Sequence, residues 1–269
     1  MSDTPRGRVL IIAGSDSGGG AGVQADIKTV TVLGGYAMTA ITAVTIQNTL
    51  GVSGVHEIPP AIVRAQIEAV VGDIGADAWK LGMLGSAAHV RTVMEAWYAI
   101  GDGQPVVLDP VMVAKGGAPL LADDAIAVIR DELMPVAAIV TPNAPEAQAL
   151  TGVSVRDLKG QKRAADILVG KLGALSALVK GGHIEGDIVR DVLVTRDGVR
   201  VFESPRIQTR ATHGTGCTLA SAIAAYIAQG VEIETAVERA RAYLMEAIAH
   251  APGLGGGHGP LGHGWPLRA

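Results

Sequence analysis

A lone thiol at the head of an apolar helix, directly behind a glycine turn, is the arrangement in this chain best suited to chemistry: Thr212-His213-Gly214-Thr215-Gly216-Cys217-Thr218-Leu219-Ala220. Two glycines let the backbone curl so that consecutive N–H groups converge, and the helix that follows adds the positive end of its dipole. Such a hole suits a phosphoryl group in transfer, with Gly214, Thr215 and Gly216 as backbone donors and Cys217 at the rim. A helix N-terminus favours the thiolate, so a reactive thiol or general base is expected at Cys217. A small buried hydrophobe is the plain alternative. His213, four residues earlier, invites a Cys/His nucleophile, but nothing else in the chain completes a hydrolase constellation.

A second glycine-rich loop, Ala13-Gly14-Ser15-Asp16-Ser17-Gly18-Gly19-Gly20-Ala21-Gly22, follows the first apolar run and opens a helix. It reads as a ligand loop or as a tight strand-to-helix turn. Gly20-x-Gly22-x-x-Ala25 meets a loose dinucleotide fingerprint, yet the next strand ends without a ribose-binding carboxylate and Glu57 comes too late. No Walker A pattern is present. Asp26 and Gln47 are polar where a buried framework calls for apolar residues. An amide and a carboxylate together match a heterocycle edge, whereas a solvated strand end and an early helix charge are the alternatives.

Strand ends supply further candidates. Asp109 and Glu146 offer the one or two carboxylates that Mg²⁺ takes alongside phosphate oxygens. Lys180 stands where a cation would meet nucleotide phosphates, or water. Asn143 fits either a ligand contact or a helix N-cap. His258 and His263 lie in a Gly-rich tail without metal-ligand spacing and read as loop residues.

The elements that must position these groups are short apolar runs alternating with helical patterns. Val9–Ala13, Ala37–Thr45, Ala78–Leu81, Val106–Leu108, Ala137–Thr141 and Leu175–Lys180 predict strands buried on both faces, hence a parallel sheet. Helices are expected over Ala21–Leu33, Pro60–Val71, Ala87–Ile100, Ala122–Glu132, Leu158–Leu172, Cys217–Gln229 and Glu234–His250. Asp191–Thr195 and Val199–Ser204, joined through Asp197-Gly198, predict an antiparallel edge hairpin.

With 269 residues, 48% hydrophobic and 18% charged, the chain can bury a large core, and one α/β domain over 1–269 is expected. A formal charge of −4 and only eight aromatics argue against a nucleic-acid surface and point to small-molecule partners. A single cysteine forms no internal disulfide, and no apolar run nears the roughly 18 residues of a membrane span. A cytoplasmic protein is expected.

Together these residues resemble the hydroxymethylpyrimidine/phosphomethylpyrimidine kinases of thiamine biosynthesis, in the ribokinase-like superfamily. The resemblance spans nearly the whole chain. It rests on the two glycine loops, Gln47-Asn48-Thr49, Lys80-Leu81-Gly82-Met83-Leu84, Asp109-Pro110-Val111-Met112, Thr141-Pro142-Asn143, Val179-Lys180-Gly181-Gly182-His183 and Gly257-His258-Gly259-Pro260. It implies a ribokinase-like three-layer α/β/α sandwich with a mainly parallel sheet. It also implies ATP- and Mg²⁺-dependent phosphorylation of 4-amino-5-hydroxymethyl-2-methylpyrimidine to the monophosphate and then the diphosphate, by a homodimer. By motif, Gln47 and Asp26 would hold the pyrimidine, with Gly14, Ala21 and Met83 lining its pocket. Asn143, Lys180 and Thr212 would face ATP, Asp109 and Glu146 would organise Mg²⁺, and Gly214 to Cys217 would stabilise the moving charge. Related sugar kinases carry Asp where this chain has Cys217, and Ala211 stands where Asn often precedes Thr212-His213. A pyridoxal/pyridoxine kinase is the nearest alternative, and a non-catalytic pyrimidine-binding protein on the same fold is another.

Overall fold

The computed structural model describes residues 6–114, 117–118 and 120–268. In chain order the elements are β1 (Arg8–Asp16), α1 (Gly22–Val32), β2 (Tyr36–Asn48), β3 (Gly51–Glu57), α2 (Pro60–Asp73), β4 (Ala78–Leu81), α3 (Ala87–Ile100), β5 (Val106–Leu108) and α4 (Asp123–Val128). They continue with β6 (Ala137–Val140), α5 (Ala144–Thr151), α6 (Leu158–Gly170), β7 (Ala177–Val179), β8 (Ile188–Thr195), β9 (Gly198–Pro205), α7 (Thr215–Ala228) and α8 (Ile233–Ala249). One nine-stranded sheet runs in the order β3-β2-β1-β4-β5-β6-β7-β8-β9. The strands from β2 to β7 in this order pair in parallel, while β3, β8 and β9 join antiparallel at the two edges.

Side-chain alternation along the strands divides the core into two layers. Leu10, Ile12, Trp79 and Leu81 pack with Val63, Ile67, Val90 and Leu168 from α2, α3 and α6. Val9, Ile11 and Ala13 face the other way, onto Val23 and Val30 of α1, Ile223 of α7 and Val237 of α8. The result is the expected helix–sheet–helix sandwich. Alanines at 220, 222, 224 and 225 are buried; small side chains let α7 lie close to its neighbours.

The chain leaves β1 toward β2 on one side and later returns with β4 on the other, so β1 and β4 flank a reversal of strand order. A crevice at the C-terminal ends of strands forms at such a point. The glycine loop after β1 and Gly82-Met83 after β4 both open there.

Three features depart from the sequence reading. β3 carries only half-buried and exposed residues, so it presents no apolar run. The helix expected over Ala122–Glu132 is α-helical only from Asp123 to Val128, then π-helical over Ile129–Leu133 and 3₁₀ over Met134–Val136. α5 is eight residues long, too short for a periodic signal; its sequence signature is the Asn143/Glu146 capping box rather than an apolar stripe. The edge hairpin forms as expected, with Thr195 paired to Gly198 across the Arg196-Asp197 turn.

Candidate active site

Gly214 takes a left-handed conformation, φ +81°, as the N-cap of α7, and its carbonyl accepts from Thr218 N at 2.9 Å. A β-carbon there would collide with the carbonyl of Gly20, and one on Gly20 would collide with the His213 ring. The two glycine turns therefore interlock, which only residues without side chains permit. Gly216 leaves room of another kind: a β-carbon would stand 3.2 Å from Lys180 Nζ and 3.4 Å from Asp109 Oδ2. The turn faces a cation and a carboxylate directly.

Asp16, quoted in the sequence only as part of its loop, organises this junction. Its Oδ2 accepts from the backbone N–H of Gly20 (2.9 Å) and Ala21 (2.8 Å) and lies 2.8 Å from His213 Nε2; its Oδ1 accepts from Gly18 N at 2.8 Å. Burial opposes its charge, but His213 and the N–H donors outweigh burial and hold the carboxyl below the usual range. The alternative of a Cys/His nucleophile pair is thereby corrected, since the ring nitrogen of His213 is turned to Asp16 and, at 3.4 Å, to the Gln47 amide.

Four of the five expected pyrimidine residues come together around this loop. Gln47 reaches His213 from β2, Gly14 lies close against Met83 Sδ, and Ala21 borders Gly214. Asp26 does not join them, which is a correction. It is fully buried, with Oδ2 accepting from Lys80 Nζ at 2.8 Å and Oδ1 from Ser221 Oγ at 2.7 Å. Position 26 lies a full turn inside α1 and faces the sheet rather than the crevice. Lys80, which the sequence offers only within the motif Lys80-Leu81-Gly82-Met83-Leu84, pairs with Asp26; a lysine inside the run Ala78-Trp79-Lys80-Leu81, every residue of which is buried, is the legible signal for such a partner.

On the other side of the turn, Lys180 Nζ donates to Asp109 Oδ1 at 2.9 Å, and the ammonium is nearly buried rather than solvated. Asn143 caps α5: its Oδ1 accepts from Glu146 N at 2.9 Å while Glu146 Oε2 accepts from Asn143 N at 2.8 Å. Burial pushes the Glu146 carboxyl up to about 7, against the pull of Lys180. Thr212 is half-buried, its Oγ1 3.2 Å from His258 Nδ1, and lines a cavity of about 540 Å³ with Thr49 and Arg210. Among the described residues no cluster of three His, Cys, Asp or Glu is placed to hold a metal. His258 lines the same cavity as Thr212, and His263 is buried, bonded to Thr218 Oγ1 at 2.9 Å with its ring pushed down to about 4 by burial.

The favoured thiolate is also corrected. Burial drives the Cys217 thiol up to about 12; Asp26 and Asp109 add to the rise, and Lys80 opposes it. Desolvation here outweighs the helix N-terminus. The direction of the shift favours the thiol over the thiolate.

The arrangement is thus a glycine turn at the head of α7, set between the polar cluster of Asp16, Gln47 and His213 and the Lys180–Asp109 pair. No helix among the described residues is long and apolar enough to cross a membrane. Comparison with known proteins agrees with this chemistry. The chain is 51% identical over 260 residues to the thiamine biosynthesis bifunctional protein ThiED of Geobacter sulfurreducens, covering 96% of this chain and 52% of that protein, about half its length. It is 49% identical over 259 residues to a hydroxymethylpyrimidine/phosphomethylpyrimidine kinase of Streptomyces coelicolor, covering 96% of this chain and 95% of the relative. Among solved structures, the ADP complex of Bacillus subtilis pyridoxal kinase superposes with a TM-score of 0.89 at 34% identity, covering 98% and 99% of the two chains. The model of the phosphomethylpyrimidine kinase family matches residues 16–262, and the chain belongs to that family.

Proposed function

We propose that this kinase moves the terminal phosphoryl group of ATP onto the hydroxymethyl arm of 4-amino-5-hydroxymethyl-2-methylpyrimidine, and then onto the monophosphate so formed. In the first step the arm's oxygen bonds to phosphorus, the bond to the ADP oxygen breaks and the hydroxyl proton is released. In the second the attacking atom is already a phosphate oxygen. The observation that supports the reading is the interlocked pair of glycine turns, which packs the loop after β1 against the turn that opens α7.

Phosphoryl transfer demands positioning and charge stabilisation more than covalent chemistry. In this reading the N–H groups of Gly214, Thr215, Gly216 and Cys217 receive the charge on the moving group. Gln47 reads the aminopyrimidine edge, and Gly14, Ala21 and Met83 shape its pocket. Lys180, Thr212 and Asn143 lie on the nucleotide side. Cys217, protonated in the free protein, orients the hydroxyl rather than waiting as a thiolate. Two carboxylates, Asp109 and Glu146, both interacting with Lys180, form too small a donor set for a closed metal site. They suit Mg²⁺ held jointly with nucleotide phosphates, where the ion would neutralise phosphate charge.

Product analysis tests the function. Incubation with ATP, Mg²⁺ and the pyrimidine alcohol is expected to yield ADP, the monophosphate and then the diphosphate in one tube. A larger kcat/KM for pyridoxine would favour the second reading, a pyridoxal/pyridoxine kinase, which the fold similarity to the Bacillus subtilis enzyme supports. Absence of ADP with either alcohol would leave a non-catalytic pyrimidine-binding protein.

A further inference from the structure

Beneath the cradle lies an ionic joint that the transfer chemistry above does not use. Lys80 and Asp26 are both fully buried and 2.8 Å apart, and Ser221, also fully buried, donates its hydroxyl to the second oxygen of Asp26 at 2.7 Å. The three residues sit on three different elements, β4, α1 and α7. Each of these elements adjoins a site segment: α1 follows the loop Gly18–Gly22, β4 runs into Gly82-Met83, and α7 begins at the cradle. Ser221 stands one helical turn beyond Cys217. A β-carbon on Gly82 would stand 3.0 Å from Lys80 Nζ, so the ammonium lies directly beneath the segment that follows β4.

Burying such a pair is a poor way to stabilise a fold. Desolvation offsets most of the attraction, and apolar residues of similar volume are often as stabilising or more so. What a buried pair does provide is a fixed geometry, because any slip that separates the charges leaves one of them unpaired in a low-dielectric interior.

We propose that Lys80 and Asp26 are positioning residues for phosphoryl transfer, locking the first turns of α7 through Ser221 so that the Gly214–Cys217 cradle keeps its place against the loops after β1 and β4. The proposal rests on the kinase reading given above. The charged and titratable groups around the joint are Asp26 from α1, Lys80 from β4, Asp109 after β5 and Cys217 from α7. Burial opposes the Lys80 charge, but its neighbouring acidic groups, Asp26 foremost, outweigh burial and hold the ammonium above its usual range. Cys217 stands one helical turn before Ser221, so a displaced joint would move it together with the cradle.

Two variants test this, with wild-type ADP formation measured first so that failure of the kinase reading is seen separately. The double variant Lys80→Met/Asp26→Leu replaces the pair by apolar residues. It is expected to keep the wild-type melting temperature within a few degrees and the pyrimidine KM within about threefold, while kcat falls about 100-fold, the size of effect that a displacement near 1 Å produces. Ser221→Ala, which cuts only the link to α7, is expected to lower kcat about tenfold at unchanged KM. Because Cys217 is the sole cysteine, its alkylation rate by iodoacetamide across pH reports the first turn of α7 without background. A shifted profile in both folded variants is expected. Should the double variant not fold, Ser221→Ala decides alone. Wild-type kcat and an unaltered alkylation profile in the folded double variant, or in Ser221→Ala, would reduce the joint to a structural filler.

Discussion

At the residue scale the assignments turn on what surrounds each side chain. Cys217 has the position of an activated thiol, but burial drives its pKa up to about 12, and in the proposed reaction it orients the attacking hydroxyl instead of taking its proton. Cys217→Ala is expected to slow transfer to the alcohol by about 10–100-fold, at or below the lower end of the range for general acid–base catalysis. Transfer to the monophosphate should slow much less. Single-turnover assays with each acceptor measure both, and equal losses would remove Cys217 from hydroxyl chemistry. Gln47 bridges β2 and His213 while leaving part of its amide accessible. Gln47→Ala is expected to weaken pyrimidine binding about tenfold, the worth of one or two hydrogen bonds, and titration calorimetry would show it; an unchanged Kd would place recognition elsewhere. Asp26 shows why residue type alone misleads: a carboxylate near a ligand loop suggests a contact, but the helix phase turns it to Lys80 instead.

Elements explain why the cradle exists where it does. α7 starts from a residue at φ +81° whose missing side chain lets the Gly20 carbonyl approach. Gly214→Ala adds both conformational strain and a collision. It is expected to destabilise the protein by about 1–3 kcal/mol and to lower kcat at least 100-fold; urea unfolding and steady-state rates check the two parts independently. A substitution that weakens an element remote from the crevice should separate them. Asp157 caps α6 by accepting from Gly160 N at 2.7 Å. Asp157→Ala is expected to lower stability by about 1 kcal/mol and leave both KM values as they were. A changed KM would mean that α6 communicates with the site.

For the whole molecule, pH dependence of stability follows from Glu146. Its carboxyl is raised from 4.5 to about 7 by burial, so the folded protein holds a proton there that the unfolded chain has already released. The resulting stability is present below pH 4.5 and declines as pH rises from 4.5 through about 7. Glu146→Gln keeps an acceptor for the capping box and removes the titration. The melting temperature of the variant relative to wild type is expected to rise across that window, and a constant difference would show that Glu146 does not titrate there.

The sequence by itself determined the layer architecture, because continuous apolar runs such as Ala137–Val140 and Val106–Leu108 have no stable place except a sheet covered on both faces. It also marked the turn that opens α7, where Gly214 takes a left-handed conformation against the Gly20 carbonyl, and the family, whose motifs stand along nearly the whole chain. Tertiary structure alone decided the electrical character of the site. Whether Asp26, Lys80, Cys217 and Lys180 meet solvent, substrate or one another depends on which strands become neighbours, and residues 54, 71 and 195 positions apart in the chain ended as ion pairs or hydrogen bonds. Charge, pKa and exposure are properties of such encounters, and local sequence carries no record of them.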